Sequence, residues 1–262
     1  MPFPAADHVT YADNPLDNVI CQVRFPTILR IDAEPPLAMQ ERLLPDYIHF
    51  KESQAVLFNI KMGRKPIASG DDLGEMPPSA TKAYEFSTDD KRWTISLTRN
   101  FLSLSTPDYQ NWGEFRSRFE TALSVLLEVY KPVVITRVGL RYIDIIVRSR
   151  LRLDHTDWGE LIAKPIVGVL ASDIKDNVNE FQSTFSVDLK DQVGTVKVRA
   201  GTVKAPQSDE ICFMIDSDYF NLSSRKPEEV LPTIDVFHSK AYKLFRWCIS
   251  DQLHNAMRPQ AK

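Results

Sequence analysis

Glycine is scarce in this chain, and the motifs that depend on glycine do not occur. Only nine of the 262 residues are glycine, and they form neither a Walker loop nor a GxGxxG fingerprint. Both motifs bind phosphate through backbone N–H groups. They need glycine because a side chain at these positions would keep the ligand away from the backbone. The sequence therefore argues against a phosphate-binding loop built from the backbone.

Cysteine and histidine are too few and too scattered to predict a metal site or a catalytic site. Cys21, Cys212 and Cys248 form no CxxC pair, and the five histidines make no HxH or HxxxH pattern. No GxSxG element offers a serine nucleophile. We therefore expect no cofactor and no catalytic residues, and the sequence favours a protein that is not an enzyme.

Charge and hydropathy argue against two further classes of protein. The formal net charge of −3 lacks the basic excess that is typical of a general nucleic-acid binder. No apolar run approaches the roughly 18 residues of a membrane span, and the opening MPFPAADHVTYADNP has no apolar signal-peptide core. Sparse cysteine is typical of a reducing compartment. We expect a soluble, cytoplasmic protein that does not enter a membrane.

Hydrophobic periodicity predicts a fold that mixes strands and helices. Between about 111 and 130, apolar side chains recur every three or four residues, from Trp112 to Tyr130, which predicts a helix with one buried stripe. Further helices are predicted at 37–44, at 158–170, from about 228, and at 250–257. Strands are predicted at 18–26, 55–62, 82–87, 93–98, 101–106, 134–147, 180–189, 195–204, 210–217 and 219–224. The segment 63–79, rich in Gly, Pro and Asp, predicts a loop.

The two halves of the chain repeat this pattern. TISLTRNFLSLST (94–106) aligns with CFMIDSDYFNLSS (212–224), and at the same offset Phe119 meets Phe237 and Leu126 meets Leu244. The matched order predicts an α+β fold of two β-α-β-β-β-α units, about 14–132 and 133–257. They would form one pseudo-twofold domain over 1–262, with a largely antiparallel sheet and helices on one face.

Four polar side chains on the two opening strands are predicted to face away from those helices. They are Gln22 and Arg24 on the first strand, and Arg137 and Arg141 on the second. The planar guanidinium group binds carboxylate or phosphate at two points, so these residues are candidates for binding a small anionic ligand. The alternative is that the arginines pair internally, since buried charges almost always have partners. The acids available for such pairs are Glu85, Asp144, Asp188 and Asp216.

Asp216 and Asp218 form a DxD sequence, which is the one weak candidate for a metal site. Two carboxylates at this spacing are able to share a divalent cation. The pair lies between two predicted strands, however, and aspartate favours turns through local hydrogen bonds. The sequence therefore predicts a turn at this position.

Several segments together resemble a sporadically distributed family of uncharacterised bacterial proteins of about this length. The segments are Asn14-Pro15-Leu16 followed by VICQVRFPTIL, then FSTDDKRWTISLTRNFLSLSTPDYQNWGEF, and finally Tyr130-Lys131-Pro132 leading into RVGLRYIDII. The resemblance implies at most a partner-binding role in a mobile or defence-related locus. Where the family has an asparagine after the Arg-Tyr-Ile run, this chain has Asp144.

Three functional hypotheses follow from these features. The leading one is a non-enzymatic interaction or regulatory protein that binds a protein partner, encoded nearby, through its sheet face or a sheet edge. The second is a sensor that holds a nucleotide or phosphate at Gln22, Arg24, Arg137 and Arg141. The third is a metal-dependent phosphodiesterase or nuclease that uses Asp216 and Asp218.

Overall fold

Eleven strands and seven α-helices are present in the part of the chain that the structure describes. A computed structural model describes residues 2–7, 9–54, 82–190, 193–205 and 209–261. The helices are α1 (Leu29–Ala33), α2 (Leu37–Leu43), α3 (Trp112–Tyr130), α4 (Trp158–Leu161), α5 (Lys164–Val167), α6 (Val230–Cys248) and α7 (Asp251–Ala256). The strands are β1 (Val9–Tyr11), β2 (Leu16–Arg24), β3 (His49–Gln54), β4 (Lys82–Ser87), β5 (Thr94–Thr98), β6 (Phe101–Thr106), β7 (Arg137–Ile146), β8 (Gln182–Leu189), β9 (Gly194–Lys204), β10 (Ile211–Asn221) and β11 (Pro259–Ala261). The predicted α+β class, with largely antiparallel pairing, is confirmed.

The chain divides into two compact units. Unit 1 comprises Met1–Val19, Leu140–Asn221 and Thr233–Lys262, and unit 2 comprises Ile20–Gly139 and Leu222–Pro232. In unit 1 the strand order is β2-β7-β10-β9-β8, with β1 and β11 paired separately. In unit 2 the order is β3-β4-β5-β6-β2-β7. The boundaries between the units fall within β2 and β7. The predicted internal duplication of the chain stays a prediction.

Helix α3 supplies much of the apolar packing in unit 2. The Asn111 side chain accepts a hydrogen bond from Glu114 N and caps the helix, and Lys131 ends it in a left-handed conformation before Pro132. Phe115 and Phe119 of the predicted stripe are fully buried. Phe115 packs on Trp93 with ring centroids 5.8 Å apart. The helix predicted at 111–130 is confirmed.

In unit 1, helices α4 and α6 pack on one face of β10. Trp158 of α4 lies against Phe213, with centroids 5.5 Å apart, and Phe237 of α6 lies 6.1 Å from Tyr219. Phe213 and Tyr219 are six positions apart and share a face of the strand, whereas Asp216, three positions from each, projects from the other face. Asp216 therefore lies on the face directed away from these helices.

Two predictions in this half of the chain were wrong. The helix predicted over 158–170 is broken into α4, α5 and a 3₁₀ turn at Gly168–Ala171, because Pro165 cannot continue a helix that began before it. The strands predicted at 210–217 and 219–224 are a single strand, β10, so Asp216 and Asp218 lie within a strand and not in a turn. The strand predicted at 55–62 and the loop at 63–79 lie outside the described residues.

None of the described helices combines the length and apolar composition that crossing a bilayer requires.

Candidate functional site

The four residues predicted to bind an anion fall into two groups. Gln22, Arg24 and Arg137 belong to unit 2, whereas Arg141 belongs to unit 1. Arg137 and Arg141 are four residues apart on β7 and therefore project from the same side of that strand. Each group has its own set of partners.

In unit 2 the side-chain oxygen of Gln22 is a shared acceptor for two arginines. Arg24 Nε donates to Gln22 Oε1 at 3.2 Å, and Arg137 Nη1 donates to the same oxygen at 3.3 Å. Arg137 is only 8% exposed, although arginine is seldom buried. Three of the four predicted residues are thus in contact, and they place two positive charges around one neutral amide. These three residues are called the Gln22 cluster.

Gly139 makes room for the Arg137 side chain. A Cβ atom at position 139 would lie 2.3 Å from Arg137 Nη1 and 2.8 Å from its Cζ. Because residues two apart on a strand share a face, the guanidinium folds back along β7 and covers the glycine. Arg137 is therefore held against the sheet and does not extend into solvent.

In unit 1, Arg141 is held by a bidentate pair with Asp216. Its Nε and Nη2 atoms each donate to an Asp216 carboxylate oxygen at 2.6 Å, and Arg199 Nη1 donates to Oδ2 at 3.2 Å. The Asp216 side chain is 1% exposed. Burial lowers the pKa of Arg141, but the hydrogen bonds and charge of Asp216 outweigh burial and raise it. Arg141 therefore has an internal partner, one of the four acids considered above.

Asp144 projects from the opposite side of β7, towards the helices. It shares that side with Tyr142, whose hydroxyl lies 2.9 Å from His238 Nδ1 on α6. Asp144 is 7% exposed. Burial, reinforced by the negative charges of Asp216 and Asp17, raises the pKa of the Asp144 carboxyl to about 8. Asp144 is consequently neutral near pH 7 and does not serve as the counter-charge for an arginine.

The DxD pair does not form a metal site with other side chains. Asp216 and Asp218 lie on the same face of β10, opposite Arg199 and Lys197 of β9 respectively. Both Asp216 oxygens already accept hydrogen bonds from guanidinium groups. Among the described residues, no group of three or more Asp, Glu, His or Cys side chains is arranged to hold a metal ion.

The three cysteines are not activated nucleophiles. Cys21, Cys212 and Cys248 are free thiols and all are buried. Burial raises the pKa of each thiol above its ordinary value. Because the thiolate is the reactive form, these side chains are inert at neutral pH.

Strand β8 forms an open edge in unit 1. It is the last strand in the order of that unit, and no strand in the described chain pairs along its other side. Thr202 N donates to Phe181 O at 2.9 Å, so the backbone of Phe181 is hydrogen-bonded to the neighbouring chain. In an antiparallel ladder, residues whose backbone bonds the neighbouring strand alternate with residues whose backbone groups point away from it. The backbone groups of Thr184 and Ser186 therefore point outwards, away from β9.

The β8 edge lacks the features that usually protect an edge strand. Its sequence, QSTFSVDL, contains no proline and no lysine, and its one charged residue is Asp188, which accepts a hydrogen bond from Thr195 at 2.9 Å. Strand β3, at the end of the order in unit 2, has Lys51 and Glu52, both charged and exposed. Charged edges resist pairing with another chain. The β8 edge is the more receptive of the two.

Sequence reasoning did not single out β8 as part of a site. A strand pattern identifies a strand but does not reveal which strand lies last in a sheet. The available signal was an eight-residue run of alternating exposed polar side chains without lysine or proline. That signal has meaning only once the strand order is known.

Comparison with known proteins adds no family assignment. No protein-family model matches the chain, and no curated protein matches its sequence.

Proposed function

We propose that this protein is a non-enzymatic interaction or regulatory protein that binds an extended segment of a partner protein along strand β8. The observation that carries the proposal is the unprotected eight-residue edge, at which Thr184 and Ser186 direct backbone groups outwards. A partner strand would satisfy these groups by adding to the sheet, a recurrent mode of peptide recognition.

The side chains beside the edge define the chemistry of the partner. Thr184 lies opposite Arg199, and Ser186 lies opposite Lys197, so hydroxyl and basic groups share the face directed away from the helices. On the other face, Phe185 and Val187 are half-buried apolar side chains. Since successive side chains of an added strand point to opposite faces, a complementary segment would alternate polar and apolar residues.

The resemblance to sporadically distributed bacterial proteins suggests where the partner is encoded. We expect the partner gene in the same mobile or defence-related locus, with this protein acting as its regulator or neutraliser. A bacterial origin and a cytoplasmic location belong to the same proposal.

The test separates backbone pairing from side-chain contact at one position. Proline at position 186 removes an outward N–H, whereas Ser186→Ala keeps that group and loses only the hydroxyl. We expect native mass spectrometry of the protein, purified at natural level from its own host, to show a stoichiometric protein adduct. Ser186→Pro should lose the adduct, and Ser186→Ala should retain it.

Two outcomes would contradict the proposal. One is a bare mass for the wild-type protein, and the other is an adduct that survives in both Ser186→Pro and Thr184→Pro. The control for folding is the melting temperature of the proline variants, which should be unchanged. Each proline removes an N–H group that makes no hydrogen bond to β9. Amide exchange on β8 should also slow when the partner is bound.

A sensor of small anions on the sheet face is the second proposal, supported by the convergence of Arg24 and Arg137 on one neutral oxygen. A bound anion would stabilise the native state by mass action. Thermal shifts with inorganic phosphate and a nucleotide panel test this proposal. A shift that disappears in Arg137→Gln supports it, and the absence of any shift opposes it.

A metal-dependent phosphodiesterase or nuclease has less support than either of these. To bind a cation, Asp216 would have to exchange its hydrogen bonds from Arg141 and Arg199 for the metal. Phosphodiester hydrolysis that chelation abolishes, and that Asp218→Asn weakens, would revive this alternative.

A further inference from the structure

A cavity of about 530 Å³ lies in unit 1, between the N-terminal segment and helices α6 and α7. Its lining includes Asp7 from the segment, Tyr242, Lys243, Arg246 and Trp247 from α6, and His254 from α7. The α6 residues form two adjacent pairs, 242–243 and 246–247, that lie one helical turn apart on one face. The volume falls within the range of small-molecule sites, roughly 300–1,000 Å³.

Aromatic rings form one part of the cavity wall. Trp247 packs against Phe3 with centroids 5.5 Å apart, and Tyr242 stacks on Tyr11 at 6.5 Å with 28° between the ring planes. Trp247 and Tyr242 are both partly exposed, so each ring is fixed from behind and has accessible surface left. Fixed, partly exposed rings are suited to stacking against a planar ligand.

Positive charge lies beside these rings. Arg246 is anchored at the rim by Ile249 O, at 3.2 Å from Nη1, and by the Asp251 carboxylate. Lys243, one helical turn earlier, brings a second cation to the same lining, against the single acid Asp7. Arginine and lysine both bind carboxylate and phosphate through charge-assisted hydrogen bonds. The lining itself thus has two cations and one acid, and Asp251, which is not part of the lining, balances Arg246.

His254 contributes a polar group that is neutral at pH 7. Burial, and the nearby charge of Arg246, lower its pKa, and Nδ1 lies 2.8 Å from the Tyr11 hydroxyl. The contact fixes the ring edge-on to Tyr11, with centroids 5.5 Å apart. A fixed imidazole beside fixed rings gives the cavity a definite shape before any ligand arrives.

We propose that this cavity binds a small planar aromatic anion of mononucleotide size. The ring would stack on Trp247 or Tyr242, and the anionic group would bind Lys243 and Arg246. This site uses residues other than the Gln22 cluster and strand β8, so it goes beyond partner binding. It gives the protein a ligand-responsive region in unit 1.

Titration calorimetry with three probes tests whether the ring and the anion are both needed. The probes are AMP, adenosine, which has the ring without the charge, and inorganic phosphate, which has the charge without the ring. We expect AMP to bind at least about tenfold more tightly than either of the others. The proposal is overturned if AMP does not bind at millimolar concentration, and also if phosphate binds as tightly as AMP.

Variants then locate the bound AMP. Lys243→Gln removes a cation from the lining, and Trp247→Leu keeps an apolar group against Phe3 but loses the ring. Each should weaken AMP binding by about tenfold or more. Lys204→Gln, which replaces an exposed lysine of β9, is the matched control and should leave the affinity for AMP unchanged. Affinity that is intact in both cavity variants but lost in Arg137→Gln would place the ligand at the Gln22 cluster and overturn the proposal.

Discussion

Replacing Asp144 with asparagine should stabilise the protein, and the gain should grow as the pH rises. The pKa of this buried carboxyl is about 8 in the folded protein, against 3.8 for an ordinary aspartate. The folded state therefore binds the proton more tightly than the unfolded state does. Between these two values the unfolded chain ionises while the folded one stays protonated, so the free energy of unfolding decreases with rising pH.

The size of the effect follows from the shift in pKa. Each pH unit between the two values costs about 1.4 kcal/mol of stability. At pH 7 the accumulated cost is about 4 kcal/mol, and at pH 5 it is about 2 kcal/mol. Asparagine does not titrate and is similar in shape to the protonated acid. Asp144→Asn should recover most of this cost, and its advantage should grow by roughly 2 to 3 kcal/mol from pH 5 to pH 7.

Urea unfolding followed by tryptophan fluorescence measures this difference directly. Wild type and Asp144→Asn are compared at pH 5, 6, 7 and 8, with Asp209→Asn as the control. Asp209 is 99% exposed and makes only a surface pair with Lys204, so its replacement should change stability by well under 1 kcal/mol. An Asp144→Asn variant that is less stable than wild type, or whose advantage does not vary with pH, would refute the reasoning.

Three further substitutions test the packing around the arginines and the core. Gly139→Ala should displace the Arg137 guanidinium, which is the end of a flexible side chain, and should therefore cost no more than about 1 kcal/mol in urea unfolding; Arg137→Ala in the same chain should remove that cost. Asp216→Ala should cost about 3–5 kcal/mol in the same assay, since it leaves Arg141 buried beside a second arginine without their shared acceptor. Phe119→Ala should lower stability by about 3–5 kcal/mol, as expected for a fully buried ring, and near-wild-type unfolding would contradict its place in the core.

Periodicity and local chemistry were enough to predict helix α3 and several of the shorter strands. Helix α3 has an apolar side chain every three or four residues and begins at a capping Asn111, so local signals and burial agree. Strands β4 and β6 occupy the predicted 82–87 and 101–106. In such segments the residues that determine the helix or strand lie within it, so the local sequence is sufficient to predict it.

Prediction failed where distant partners decide the conformation. Asp216 and Asp218 favour a turn by local propensity, but Asp216 is held within β10 by Arg141 and Arg199, which are remote in sequence. The same limit applied to the candidate site. Gln22 and Arg137 were expected on one face and are in contact, whereas the open edge at β8 depends on strand order and was not foreseen.

Under the proposed function, an open edge strand also makes the behaviour of the protein depend on how much partner is present. Strand β8 offers the same unpaired backbone groups to a second copy of the chain as to a partner. Produced in excess, the protein would therefore be prone to self-association through this strand, and more so at high concentration. A partner that occupies the edge would prevent this self-association. Co-expression with the partner would therefore improve the solubility of the protein, and selection would favour matched production of the two proteins.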